Sequence, residues 1–156
     1  MSLVDGAISH ALLLEVDRAS RPARLELTTP AGLLTLHPSA DQAELHGNIV
    51  RPGAGGVEHL ALPWGPEREI DVTGRPLALA LGLHRQRDSV PVGQTLEVEA
   101  VAISPALEIG VVRRRVARTR EDTWRVFGAD GAPDRMISMT ADGLPALGSR
   151  WALERA

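Results

Sequence analysis

The side chains that could carry acid–base or ligand chemistry are few and scattered. The 156 residues include five histidines, His10, His37, His46, His59 and His84, and twenty carboxylates, but no Cys, Lys or Tyr. Without Cys there is no thiolate nucleophile, iron–sulfur ligand or Cys-type zinc site. Without Lys there is no Schiff base and no phosphate-loop lysine. The histidines show none of the HxH, HxxxH or HExxH spacings that bring imidazoles onto one ion, so neither a metal nor a cofactor is expected. No Gly-x-Ser-x-Gly elbow occurs, and the glycines of "RPGAGG" do not have the spacing of a phosphate loop. His46, Asn48, Glu58 and His59 lie on the two arms of a hairpin around that loop. His46 and Asn48 then face Glu58 or His59, depending on register. A hydrolase- or isomerase-type site using His46 and His59 with nearby carboxylates is one reading, and a solvated polar hairpin end is the other. Pairs such as Glu67/Glu69 and Glu97/Glu99 equally describe the exposed side of strands.

Arginine offers different chemistry. All 17 basic residues are Arg, a bias that a GC-rich bacterial coding sequence produces without functional cause. In "PALEIGVVRRRVARTR", read as one strand, Leu107, Ile109 and Val111 share a face with Arg113 and Arg115. An anionic amphiphile fits such a face, its tail along the apolar part and its head paired with guanidinium groups. The alternative is a strand leaving the core with solvated arginines. Formal net charge is −3, which with few aromatics argues against a nucleic-acid partner. Positive charge gathers in the C-terminal third, where nine arginines meet six acids.

Strands must position these groups. Apolar residues alternate with polar ones in "ARLELTT", "LEVEAVAI", "DTWRVFG" and "RMISM", a period of two that sorts side chains onto opposite sheet faces. Asp5-Gly6, Asp130-Gly131 and Asp142-Gly143 supply tight-turn signals. The spacing predicts an all-β domain over 1–156. About ten to twelve short strands form a large antiparallel barrel, half-barrel or two-layer sandwich, without a parallel βαβ rhythm and with at most one or two helical turns. At 40–46, where Ser39 and Gln42 have capping-box spacing, a helix competes with a strand over 43–50, and a short helical turn followed by strand is expected. In "LALALGL" the period places Leu77, Leu79, Leu81 and Leu83 on one face of a strand and Ala78, Ala80 and Gly82 on the other. The small row is either covered by large side chains from another layer or left open to a ligand.

The resulting expectation is a non-enzymatic module that holds an apolar or anionic amphiphilic molecule, lipid- or glycolipid-like, in a curved sheet. Ala78, Ala80, Gly82 and His84 line it, Arg113 and Arg115 stand at its mouth, and Trp64, in the loop "ALPWGPER", is a lid or packs on the core edge. The plan is similar, at the level of fold alone, to bacterial half-barrels that hold lipids. Trp124 reads as core or half-core, and Trp151 as a pin for the last strand. A homodimer through a sheet edge or the leucine face is a further alternative. No run reaches the length of a membrane span, and the N-terminus lacks a basic n-region, so a cytoplasmic protein is expected.

Overall fold

A computed structural model describes residues 2–4, 7–129 and 131–146; Asp5, Gly6, Asp130 and Trp151, singled out above, lie outside them. The described residues form eleven strands and one helix in two sheets. The first sheet is an antiparallel meander in sequence order: β1 (Ser2–Val4), β2 (Ala7–Val16), β3 (Pro22–Thr29), β4 (Gly32–Pro38), β5 (Glu44–Val50) and β6 (Val57–Pro63). It curls into a half-barrel. Leu25, Leu27, Leu34, Leu36, Leu45 and Ile49 point inward and are buried, as the period of two requires. Gly47 breaks that inward series because its neighbours fill the position. A Cβ there would stand 2.5 Å from Leu36 Cδ2 and 3.0 Å from Leu60 Cδ1. The expected helical turn at 40–46 is a non-helical turn followed by β5. Gln42 adopts a φ of 59°, outside the right-handed helical region.

The second sheet has the order β11-β10-β9-β8-β7 and is formed by β7 (Glu69–Val72), β8 (Thr95–Ile103), β9 (Ile109–Arg120), β10 (Thr123–Val126) and β11 (Arg135–Ser138). Its β7 and β8 run parallel, joined by α1 (Leu77–Gln86). This βαβ unit corrects two expectations at once: residues 77–83 are helical, and one parallel crossover exists. The reason lies in burial. Ala78, Leu79, Ala80, Gly82 and Leu83 are all buried, because the helix contributes to both apolar clusters. Ala78 packs with the half-barrel leucines and Trp64, while Leu79, Ala80 and Leu83 pack with Val98, Val116 and Trp124. A helix enclosed on several sides is apolar around its circumference, so its sequence carries no 3.6-residue signature to set against a period of two. Pro76, immediately before the helix, suits its start, where a missing N–H costs nothing.

One face of the second sheet closes the half-barrel. Ile70, Val72, Val101 and Ile103 join the half-barrel leucines in one core. The opposite face carries α1 and the second apolar cluster. No helix among the described residues is long and apolar enough to cross a membrane.

Candidate functional site

The expected row of Ala78, Ala80 and Gly82 does not line an open surface. At Gly82 a Cβ would lie 1.9 Å from Glu69 Oε2 and 2.2 Å from its Cδ, so the missing side chain makes room for a carboxylate. The interior of the half-barrel is closed in the same sense, with Leu34 fully buried and Trp64 part of its core. Trp64 is therefore a core residue. The apolar floor, the lid and the mouth proposed from sequence do not converge. Arg113 is on the face away from α1, 3.8 Å from Glu99, and Arg115 lies with its guanidinium carbon 3.9 Å from the centre of the Phe127 ring.

The polar groups that do converge come from β7. Its four residues, Glu-Ile-Asp-Val, are all buried. Ile70 and Val72 face the half-barrel core, which turns Glu69 and Asp71 toward the opposite face. There they stand opposite Ala100 and Ala102 on β8, whose small side chains leave room for longer groups from the next strand. Arg114 of β9 reaches across and donates from Nε to Asp71 Oδ2 at 2.9 Å. Arg135 of β11 donates from one terminal nitrogen to both Asp71 oxygens, at 3.1 and 2.9 Å. Asp71 is 2% exposed. One buried carboxylate thus holds two guanidinium groups, leaving one net positive charge and several N–H donors that make no bond to Asp71.

These two arginines line a recess of about 410 Å³. Thr73 and Gly74, just ahead of α1, form another part of its wall, and Phe127, Ala129, Ala132 and Pro133 of the β10–β11 connection give it an apolar side. The first turn of α1 has no side-chain cap and no acidic residue, so its partial positive charge is not offset locally. Arg115 is not part of the lining; it covers Phe127, which is.

Glu69 has a separate environment. It accepts from Arg85 at 2.7 Å and from Gln86 at 3.0 Å. Burial raises its pKa above the ordinary carboxylate value; Arg85 and Gln86 oppose that shift without overcoming it. Arg85 also donates to the Ser20 carbonyl at 2.7 Å, which ties α1 to the β2–β3 turn. A recess of about 490 Å³ beside Glu69 is lined by Glu67, Glu97 and Glu99 as well. The Glu67/Glu69 pair read as a strand's exposed side is thus divided, with Glu69 only 1% exposed. His84 lines a third recess, of about 520 Å³, with Arg87, Arg120 and Thr140. Burial and the neighbouring Arg87 lower the His84 pKa, so the imidazole tends to be neutral.

His46 and His59 do not assemble an acid–base site with Glu58. They are on the outer face of the half-barrel, where Asn48 stands opposite His59 and His46 opposite Ala61. His59 Nδ1 is 2.6 Å from Asn48 Oδ1. Glu58 pairs with Arg51 at 3.6 Å, at the position opposite inward-facing Ile49. The Asp71 cluster escaped sequence reasoning because its members are 43 and 64 residues apart. Its one local trace is the "EIDV" stretch, two acids spaced by two within a strand otherwise fit for a core.

Neither protein-family models nor curated proteins give a match to this chain. Among solved structures, the chain is similar to a DUF1089-family protein from Pseudomonas aeruginosa, with a TM-score of 0.58 at 18% identity. The similarity spans 93% of this chain and 91% of that one. At that identity the likeness concerns the fold, and fold alone does not assign an activity.

Proposed function

We propose that this protein is a non-enzymatic module that binds a small anionic amphiphile in the recess beside Asp71, with the anionic head on Arg114 and Arg135. The observation that carries this reading is the clamp itself: two guanidinium groups held by one carboxylate, at the wall of an apolar-sided recess. Holding the arginines in advance reduces the side-chain entropy lost when an anion binds. A carboxylate, sulfate or phosphate would accept their remaining N–H groups, while a hydrocarbon portion would lie against Phe127, Ala132 and Pro133. The volume suits a small molecule.

Calorimetric titration with laurate and with dodecyltrimethylammonium, both below their micelle concentrations, tests the reading. Laurate is expected to bind saturably and the cation not to bind. Arg135→Gln, at a partly exposed position, is expected to weaken laurate binding by roughly 10- to 100-fold, the worth of one hydrogen bond to a charged group. Equal binding of both amphiphiles, or unchanged affinity in a folded Arg135→Gln protein, would refute it.

A further inference from the structure

The outer face of the half-barrel is remote in topology from the Asp71 recess and carries a cluster with its own chemistry. His37 on β4 and His46 on β5 are direct partners across the antiparallel ladder. Their ring centroids are 6.0 Å apart, with the planes inclined by 34°. With metal–nitrogen bonds of ~2.0–2.1 Å, two imidazoles that share one ion have centroids roughly 5–6 Å apart. The observed spacing is at the upper end of that range.

The outer contacts of each ring favour the same chemistry. His46 Nε2 lies 3.2 Å from Glu44 Oε2, and His37 Nδ1 lies 3.4 Å from the Pro38 carbonyl oxygen. In the tautomer that donates to the Pro38 carbonyl, His37 keeps its lone pair on Nε2, and a proton on His46 Nε2, the nitrogen near Glu44, leaves the His46 lone pair on Nδ1. A carboxylate behind a ligating imidazole fixes the ring's orientation and raises its basicity. Both histidines are accessible from solvent. His59 is not required, because it stands opposite Asn48, whereas His37 and His46 stand opposite each other.

We propose that His37 and His46 form a surface chelate for a first-row divalent ion, with Glu44 as the orienting carboxylate behind His46. No group of three His, Cys, Asp or Glu side chains among the described residues is arranged to hold a metal, so water completes the coordination. With two imidazole ligands and no enforced geometry, preference follows the general affinity order, Cu²⁺ ahead of Zn²⁺.

The test is calorimetric titration of the full chain with Zn²⁺ and separately with Cu²⁺, in a buffer that does not chelate either. Wild type is expected to take up one equivalent of each at a site lost in His37→Ala and in His46→Ala. Glu44→Gln should weaken that site by about tenfold, and His59→Ala should leave it unchanged. Because these side chains are on an exposed face, the variants should keep the wild-type circular dichroism. As an independent reading on unaltered protein, substoichiometric Cu²⁺ should broaden amide resonances around residues 37 and 46 before those elsewhere. If both single-histidine variants bind as tightly as wild type, or broadening begins at His10, His59 or His84 instead, the ion sits elsewhere and the proposal fails. It also fails if wild type shows no saturable binding.

Discussion

The two sheets solve the same problem with different materials. In the half-barrel, every inward position from Leu25 to Ile49 on β3, β4 and β5 is apolar or glycine, apart from Thr29 at the strand end, and the charged side chains of these three strands stay outside. In the second sheet, the face that meets α1 encloses Glu69 and Asp71 as well as Val98, Val116 and Trp124. The first arrangement depends on neighbours along the ladder, each strand hydrogen-bonded to the next in sequence. The second depends on partners far apart in the chain, since Asp71 needs Arg114 and Arg135. An apolar layer tolerates small shifts in its contacts. A buried carboxylate does not, because losing one partner leaves a charge without compensation.

That contrast can be broken most forcefully at Asp71. Replacing it by Ala leaves Arg114 and Arg135 without their shared anion, and unfolding measurements should show a loss of about 3–4 kcal/mol. Leu34→Ala in the half-barrel should cost a comparable amount, about 2–5 kcal/mol, through cavity formation alone. The two differ in a second readout: Asp71→Ala should also change laurate affinity, because it removes the anion that orders Arg114 and Arg135, whereas Leu34→Ala should spare it. A change in both would mean that the recess does not depend specifically on the clamp.

A smaller effect is expected at Gly82. Alanine ordinarily strengthens a helix interior by up to about 1 kcal/mol relative to glycine. Here the added methyl meets the Glu69 carboxylate, which Arg85 and Gln86 hold in place. Gly82→Ala should therefore destabilise, by about 1–3 kcal/mol in a denaturant titration. A stabilised variant would show that α1 and Glu69 are free to move apart.

Glu69 also predicts a dependence on pH. Its folded pKa is raised by burial, so between the ordinary carboxylate pKa and that raised value the folded state holds more protons than the unfolded state. Stability from this group is then greatest at low pH and falls as pH rises through the raised value. Glu69→Gln removes that titration. Measured from pH 4 upward, the stability difference between variant and wild type should move in the variant's favour, and a flat difference would contradict the assigned burial effect. The smallest change is expected on the half-barrel exterior, where Arg24 pairs with Glu26 in solvent. Glu26→Gln should shift stability by less than about 1 kcal/mol.

Much of this architecture is legible along the chain. "ARLELTT", "LEVEAVAI", "DTWRVFG" and "RMISM" become β3, β8, β10 and β11, with Leu25 and Leu27 on the buried side as their spacing indicates. Asn48 does stand opposite His59. The site was far less legible. Of the triplet Arg113, Arg114 and Arg115, the middle residue meets Asp71, because alternation turns it to the opposite face from its neighbours. Nothing local distinguishes a partly buried arginine from a solvated one.

What the sequence determined by itself was the alternation of faces: polar and apolar residues two apart can satisfy water and core together only in a pleated sheet. What the tertiary structure decided was the conformation of residues 77–86 and the fate of Glu69 and Asp71. The apolar run at 77–83 suits helix or strand until two cores enclose it. An acid between apolar neighbours is an exposed group or a buried anchor according to whether arginines arrive from distant strands. Local periodicity records how a segment meets its surroundings, and only the assembled fold supplies those surroundings.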